Sequence, residues 1–147
     1  MKRLYTLEVW LIDGFLTEEF FGKEILRTIQ IRGEQSLETL HHAIFAAYER
    51  EDEHMYEFFL GEGPYDSSAR YVLPIMQDDE GVLGFVTKTA IDDLQLAVDQ
   101  AFGYLFDYGD NWLHQINVAK IEEGSMSGKY PKITVRIGKS PPQYPEV

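Results

Sequence analysis

Over residues 4–13 apolar and polar side chains alternate, with Tyr5, Leu7, Val9 and Leu11 on one face and Thr6 and Glu8 on the other. Period two predicts a strand. Residues 24–32, EILRTIQIR, set Ile25, Ile29 and Ile31 on a common side and predict a second strand. The period then changes. Leu37, Leu40, His41, Ile44, Ala47 and Tyr48 recur at three and four, behind Ser36, a good N-cap. This predicts a helix over 37–48, closed by the acid run EREDE, because acids near a helix C-terminus oppose its dipole.

Beyond the helix the alternation returns. Residues 54–60 align His54, Tyr56, Phe58 and Leu60. GEGPYD (61–66) reads as a turn, and RYVLPI (70–75) as a short strand, put at an edge by Pro74. QDDEGVLG (77–84) reads as a loop. Thr89 and Asp92 have capping-box spacing, so a short helix is expected near 90–97. Residues 102–106 and 112–121 form a hairpin around DYGDN, where Gly109 and Asn111 tolerate positive φ. EEGSMSGKYP is a loop, KITVRIG a last strand, and KSPPQYPEV an extended Pro-rich tail. The order β-β-α-β-β-α-β-β-β implies an α+β class: a single domain over 1–147, a largely antiparallel sheet with helices packed on one face.

Composition narrows the function. Cysteine is absent, which excludes disulfides, thiolate metal sites and a cysteine nucleophile, and fits a reducing cytoplasm. The net charge of −12 comes with no basic cluster beyond Lys2–Arg3. Nucleic-acid affinity rests on Lys and Arg neutralising phosphates, so this balance argues against nucleic acid and against an anionic membrane as partners. Lys2 and Arg3 precede an apolar run, but Glu8 interrupts it and no small-residue cleavage site follows, so no export signal is expected. No window approaches the ~20 apolar residues of a membrane span.

The stretch FDYGDNWLHQI, 106–116, gathers Asp107, Asp110, Trp112 and His114 in eight residues. Asp110, in the loop, suits local backbone amides. Asp107, at a strand end, needs a donor, and His114 across the hairpin is one candidate. His41 lies on the apolar helix stripe, His54 starts a strand, and His114 shares a strand face with Trp112, Ile116 and Val118. His42 falls at the exposed margin of the stripe. Neutral imidazole and carboxylate suit zinc and similar ions, which makes His41, His54, His114 and Asp107 metal candidates, with Asp110 beside them. Their spacing matches no metal motif. G-x-S-x-G, a P-loop and G-x-G-x-x-G are all missing. The candidate binding set is therefore Asp107, Asp110, Trp112, His114, His41 and His54, with no cofactor required.

In order, LETLHHAIFAAY, EHMYEFFL, FGYLFDYGDNWLHQI and YPKITVRIGKSPPQYP resemble the plasmid pRiA4b ORF-3-like family. The match falls on Leu37, Leu40, His41 and Ile44, then His54, Tyr56 and Phe58, then Asp107, Gly109, Asp110, Trp112, His114 and Ile116. Tyr108 stands where Phe is commoner in the family. The resemblance implies an α+β single domain in an uncharacterised family that occurs on plasmids and beside mobile elements. Many members end in a Cys-containing segment; this chain keeps Pro141 and Pro142 without the cysteine. Two functions follow as expectations. The first is a non-enzymatic binding or accessory domain acting through a pocket or surface near the 107–114 hairpin, for a protein or small molecule. The alternative is a metal-dependent hydrolase or nuclease using the histidines and aspartates.

Overall fold

The computed structural model describes residues 2–63, 66–124 and 127–146. Pro64 and Tyr65 of the expected 61–66 turn, and Ser125 and Met126 of the 122–131 loop, lie outside the described residues. The described residues form eight strands: β1 Arg3–Asp13, β2 Leu26–Arg32, β3 Tyr56–Phe59, β4 Arg70–Val72, β5 Val82–Phe85, β6 Ala101–Phe106, β7 Trp112–Glu123 and β8 Lys132–Ile137. They form one sheet in the order β5-β4-β3-β6-β7-β1-β2-β8. Among the described residues a single α-helix, α1 Leu37–Ala47, lies between β2 and β3.

The expected α+β class, a largely antiparallel sheet with helices packed on one face, needs correcting. The molecule is mostly sheet with one short helix, and the sheet is mixed, since β4 and β5 run parallel while the other neighbours are antiparallel. The expected 90–97 helix is a 3-10 turn, Ile91–Leu94, stopped by Gln95 at φ +53°. Its N-terminal contact is one residue later than the Thr89/Asp92 spacing suggests: the Asp93 carboxylate accepts the Ala90 N–H at 2.8 Å. The stretch read as loop over 77–84 contains the start of β5, which covers the far side of β4. β4 is therefore interior, not an edge, and Pro74 begins a 3-10 turn just beyond it.

The core lies on the face that α1 covers. Leu7 and Val9, Ile29 and Ile31, Phe58, Tyr104 and Phe106, and Trp112 and Ile116 meet Leu37, Leu40 and Ile44 there. Successive strand residues point to opposite faces, so their neighbours, including Glu57, Phe59 and Leu105, belong to the other face. Gly103 serves that face, since a Cβ there would sit 1.9 Å from the Phe59 ring.

Both ends of α1 are closed by local chemistry. The Ser36 hydroxyl accepts the Thr39 N–H at 3.1 Å. At the other end Glu49 turns left-handed at φ +58°, Glu49 N–H reaches the Ala46 carbonyl, and Arg50 N–H reaches that of Phe45. These are the two bonds of a Schellman motif. Arg27 and Arg136 donate to the Ala47 carbonyl at 2.9 and 2.8 Å, placing cations at the negative end of the helix dipole. Among the described residues no helix is long and apolar enough to cross a membrane.

Candidate functional site

The β6–β7 hairpin pairs Tyr104 with His114 and Phe106 with Trp112. Asp107 leaves β6 at φ +66°, and its Oδ1 accepts the N–H groups of Gly109 at 2.9 Å and Asp110 at 3.4 Å. The turn role expected of Asp110 thus belongs to Asp107. Positive φ falls on Asp107 and Asn111, not on Gly109. The second Asp107 oxygen stands 3.5 Å from His54 Nε2, so the expected pairing with His114 gives way to one with His54.

His114 points into the core beside Trp112, as its strand face requires, and meets a cation there. Arg50 Nη2 donates to His114 Nε2 at 2.8 Å, and His114 Nδ1–H donates to the Tyr104 carbonyl at 3.2 Å. This fixes the neutral tautomer. Burial, then the Arg50 charge, hold its pKa well below 6.5. The Arg50 guanidinium lies 4.9, 5.2 and 5.3 Å from the ring centroids of Tyr48, Phe106 and Trp112. Burial lowers its pKa to about 10. Arg50 Nη1 and Trp112 Nε1 are buried with no hydrogen-bond partner among the described residues.

His41 is also enclosed. Its ring stacks on Tyr56 at 3.6 Å between centroids, with Nδ1 2.5 Å from the Tyr104 hydroxyl and Nε2 2.8 Å from Glu53 Oε1. Burial, then the neighbouring His42 and Arg50, push its pKa down to about 3. His54 is half-buried at the surface, where its Nε2 meets the Tyr144 hydroxyl at 2.8 Å. The three histidines therefore go to three different charged partners: Arg50, Glu53 and Asp107. Within metal-coordinating distance of one another the described residues bring together His41, His42 and Glu53, without His54, His114, Asp107 or Asp110.

On the opposite face of the sheet, next to the hairpin, is a cleft of about 510 Å³ lined by Met55, Glu57, Ser67, Arg70, Ile75, Met76, Asp79 and Tyr108. Its charged floor is built from β3 and β4. Glu57 accepts Arg70 Nη2 and Nε at 2.9 and 3.1 Å, and Tyr108 donates its hydroxyl to Glu57 at 2.8 Å. The Glu57 hydrogen bond raises the Arg70 pKa, and burial followed by the Glu57 charge raises that of Tyr108. The pair is shielded from water, so truncating either partner strands a charge. Above it the walls are thioether and aliphatic: Ile75 is 81% and Met55 43% exposed, with Asp79 at the rim.

The sequence patterns overlooked Arg50, Glu53, Glu57, Arg70, Tyr104 and Tyr108. Glu57 had a signal, since it alternates with Tyr56 and Phe58 and so faces away from the core. Arg50 is the lone cation within the acid run 49–53.

A crystal structure of a protein of unknown function from Methanosarcina mazei Go1 has the same fold. It superposes with a TM-score of 0.73 at 23% identity, over 97% of this chain and 74% of that one. A comparison with curated proteins found no match. The model of the plasmid pRiA4b ORF-3-like protein family matches residues 16–144, so the chain belongs to that family.

Proposed function

We propose that the protein is a single-domain, non-enzymatic binding module. Its recognition surface is the cleft between Tyr108 of the hairpin and the 66–79 segment. Its partner is a protein segment that combines an apolar side chain with Lys or Arg. The observation that carries this reading is the cleft's composition: exposed Ile75 and Met55 over a closed Glu57–Arg70–Tyr108 network. That network's hydrogen bonds are already committed, so it fixes the shape of the floor and leaves the apolar walls to the partner. Methionine walls adapt to varied shapes. Asp79 at the rim already pairs with Arg70 Nη2 at 3.3 Å, so the pull on a basic partner comes from Asp78 and Glu80, which flank it in sequence, and from the net charge of −12, which disfavours nucleic acid and anionic lipid. The absence of cysteine suits the cytoplasm as its compartment. The rival metal-dependent hydrolase reading has less support, because His41, His54 and His114 each face a different charged partner.

Phage-displayed random peptides selected on the immobilised protein test this reading. Enrichment of sequences pairing an apolar residue with Lys or Arg is expected, with loss of their binding to Ile75→Asp and weaker binding at high salt. No enrichment, or equal binding to Ile75→Asp, would overturn it.

A further inference from the structure

We propose that His41, His42 and Glu53 form a binding site for a divalent transition metal of the zinc class, at the margin of α1 on the face of the sheet away from the cleft. The two histidines are neighbours on the helix, and Glu53 returns to them after the Schellman turn. Their donor atoms all lie within 4.8 Å of one another, with His41 Nε2 2.8 Å and His42 Nδ1 3.6 Å from the two Glu53 oxygens. Zinc binds imidazole nitrogen and carboxylate oxygen at roughly 2.0–2.2 Å, so ligands around one ion sit about 3–3.5 Å apart. The Glu53 pairs already bracket that separation. His42 is 61% exposed, which leaves its ring free to rotate the remaining distance.

The surroundings of His41 are those of a ligand held in advance. Tyr56 stacks flat against its ring, and the Tyr104 hydroxyl holds Nδ1. A hydroxyl donates or accepts equally well. Without metal, Tyr104 donates to Nδ1 and the Nε2 proton goes to Glu53. With metal, Nδ1–H donates to Tyr104, and the cation replaces the proton between Nε2 and the carboxylate. Such an outer hydrogen bond orients metal-binding histidines generally.

A second observation supports a ligand here. The Tyr56 hydroxyl is buried with no hydrogen-bond partner among the described residues, and the charges of Glu38 and Glu53 both act on it. Glu38 lies one turn before the histidines on α1. The phenol is suited to receive a water carried by the ion, and Glu38 to neutralise its second charge. With three protein donors and a solvent-exposed side, the coordination shell stays open.

Cobalt(II) titration of the tag-free protein, followed by visible d–d absorption, and zinc(II) titration followed by calorimetry, test the site. One ion per chain is expected. His42→Ala and Glu53→Gln, both at exposed positions, should each weaken binding by at least tenfold, the lower end of what even outer-shell changes cost. His54→Ala should bind as wild type does. Absence of saturable binding would overturn the site. So would unchanged affinity in His42→Ala and Glu53→Gln, or a loss in His54→Ala as large as theirs.

Discussion

Trp112, Asp107 and His114 each have an environment specific enough to fix what their replacement does. Trp112 is enclosed, with Arg50 near its ring and Gly14 against it, where a Cβ would come within 2.3 Å of the indole. Trp112→Ala should destabilise by about 3–5 kcal/mol in chemical denaturation, the range for truncating a buried large aromatic. Asp107 combines left-handed backbone with an acceptor oxygen, and asparagine offers both. Asp107→Asn is therefore expected to stay within about 1 kcal/mol of wild type, while Asp107→Ala loses about 1–3 kcal/mol. His114 is neutral in the fold, and the unfolded chain returns it to its ordinary 6.5. Below that pH the unfolded state binds a proton that the folded state refuses, so its contribution is complete above about 6.5 and is lost as pH falls. Denaturation midpoints from pH 5 to 8 should show His114→Gln losing less stability on acidification than wild type, by up to about 1.4 kcal/mol per pH unit. The inward direction of Trp112 and His114 was legible, because strand period decides it. Their partners were not, since Arg50 reaches them from another element and the acid run around it reads as solvated surface.

Elements were legible where one period persists. The strands expected over 4–13, 102–106 and 112–121 and the helix over 37–48 correspond to β1, β6, β7 and α1 to within two residues at each end. What failed was local geometry without a sequence period. Gln95 turns left-handed and ends the 91–94 turn early, and β5 is only four residues long. Glu49 shows how such a position works. It takes the left-handed conformation that sends Arg50 inward, at a site where glycine is free of Cβ strain. Glu49→Gly should raise stability by up to about 1 kcal/mol, also removing an acid from the negative end of the dipole. A loss in thermal or denaturant unfolding would contradict this. Gly103 is the opposite case. Gly103→Ala should destabilise by about 1–3 kcal/mol by forcing Phe59 aside, and Phe59→Leu in the same chain should recover part of it.

At the scale of the molecule, the sheet separates two regions that the sequence presents as one. His114 and Trp112 lie on the core face of the sheet, where Tyr104 meets both His114 and His41 of α1, while Tyr108 joins Glu57 and Arg70 on the other side. A pattern of residues on one chain segment cannot show that division, because it depends on the strand order β4-β3-β6-β7, which brings distant segments side by side. The sequence pointed to Asp107, Asp110, Trp112, His114, His41 and His54; pairing of β3 with β4 and β6 forms a cleft beside the hairpin that none of those six lines, and Tyr108 is the hairpin residue it includes. The most direct test of the proposed role is a ¹H–¹⁵N NMR titration with a peptide pairing leucine and lysine, chosen from those enriched on the wild-type protein. Saturable shifts concentrated at Met55, Ser67, Ile75, Met76, Asp79 and Tyr108 are expected, with the α1 amides unmoved. Shifts centred on α1, or none at any peptide concentration, would contradict the cleft as the binding surface.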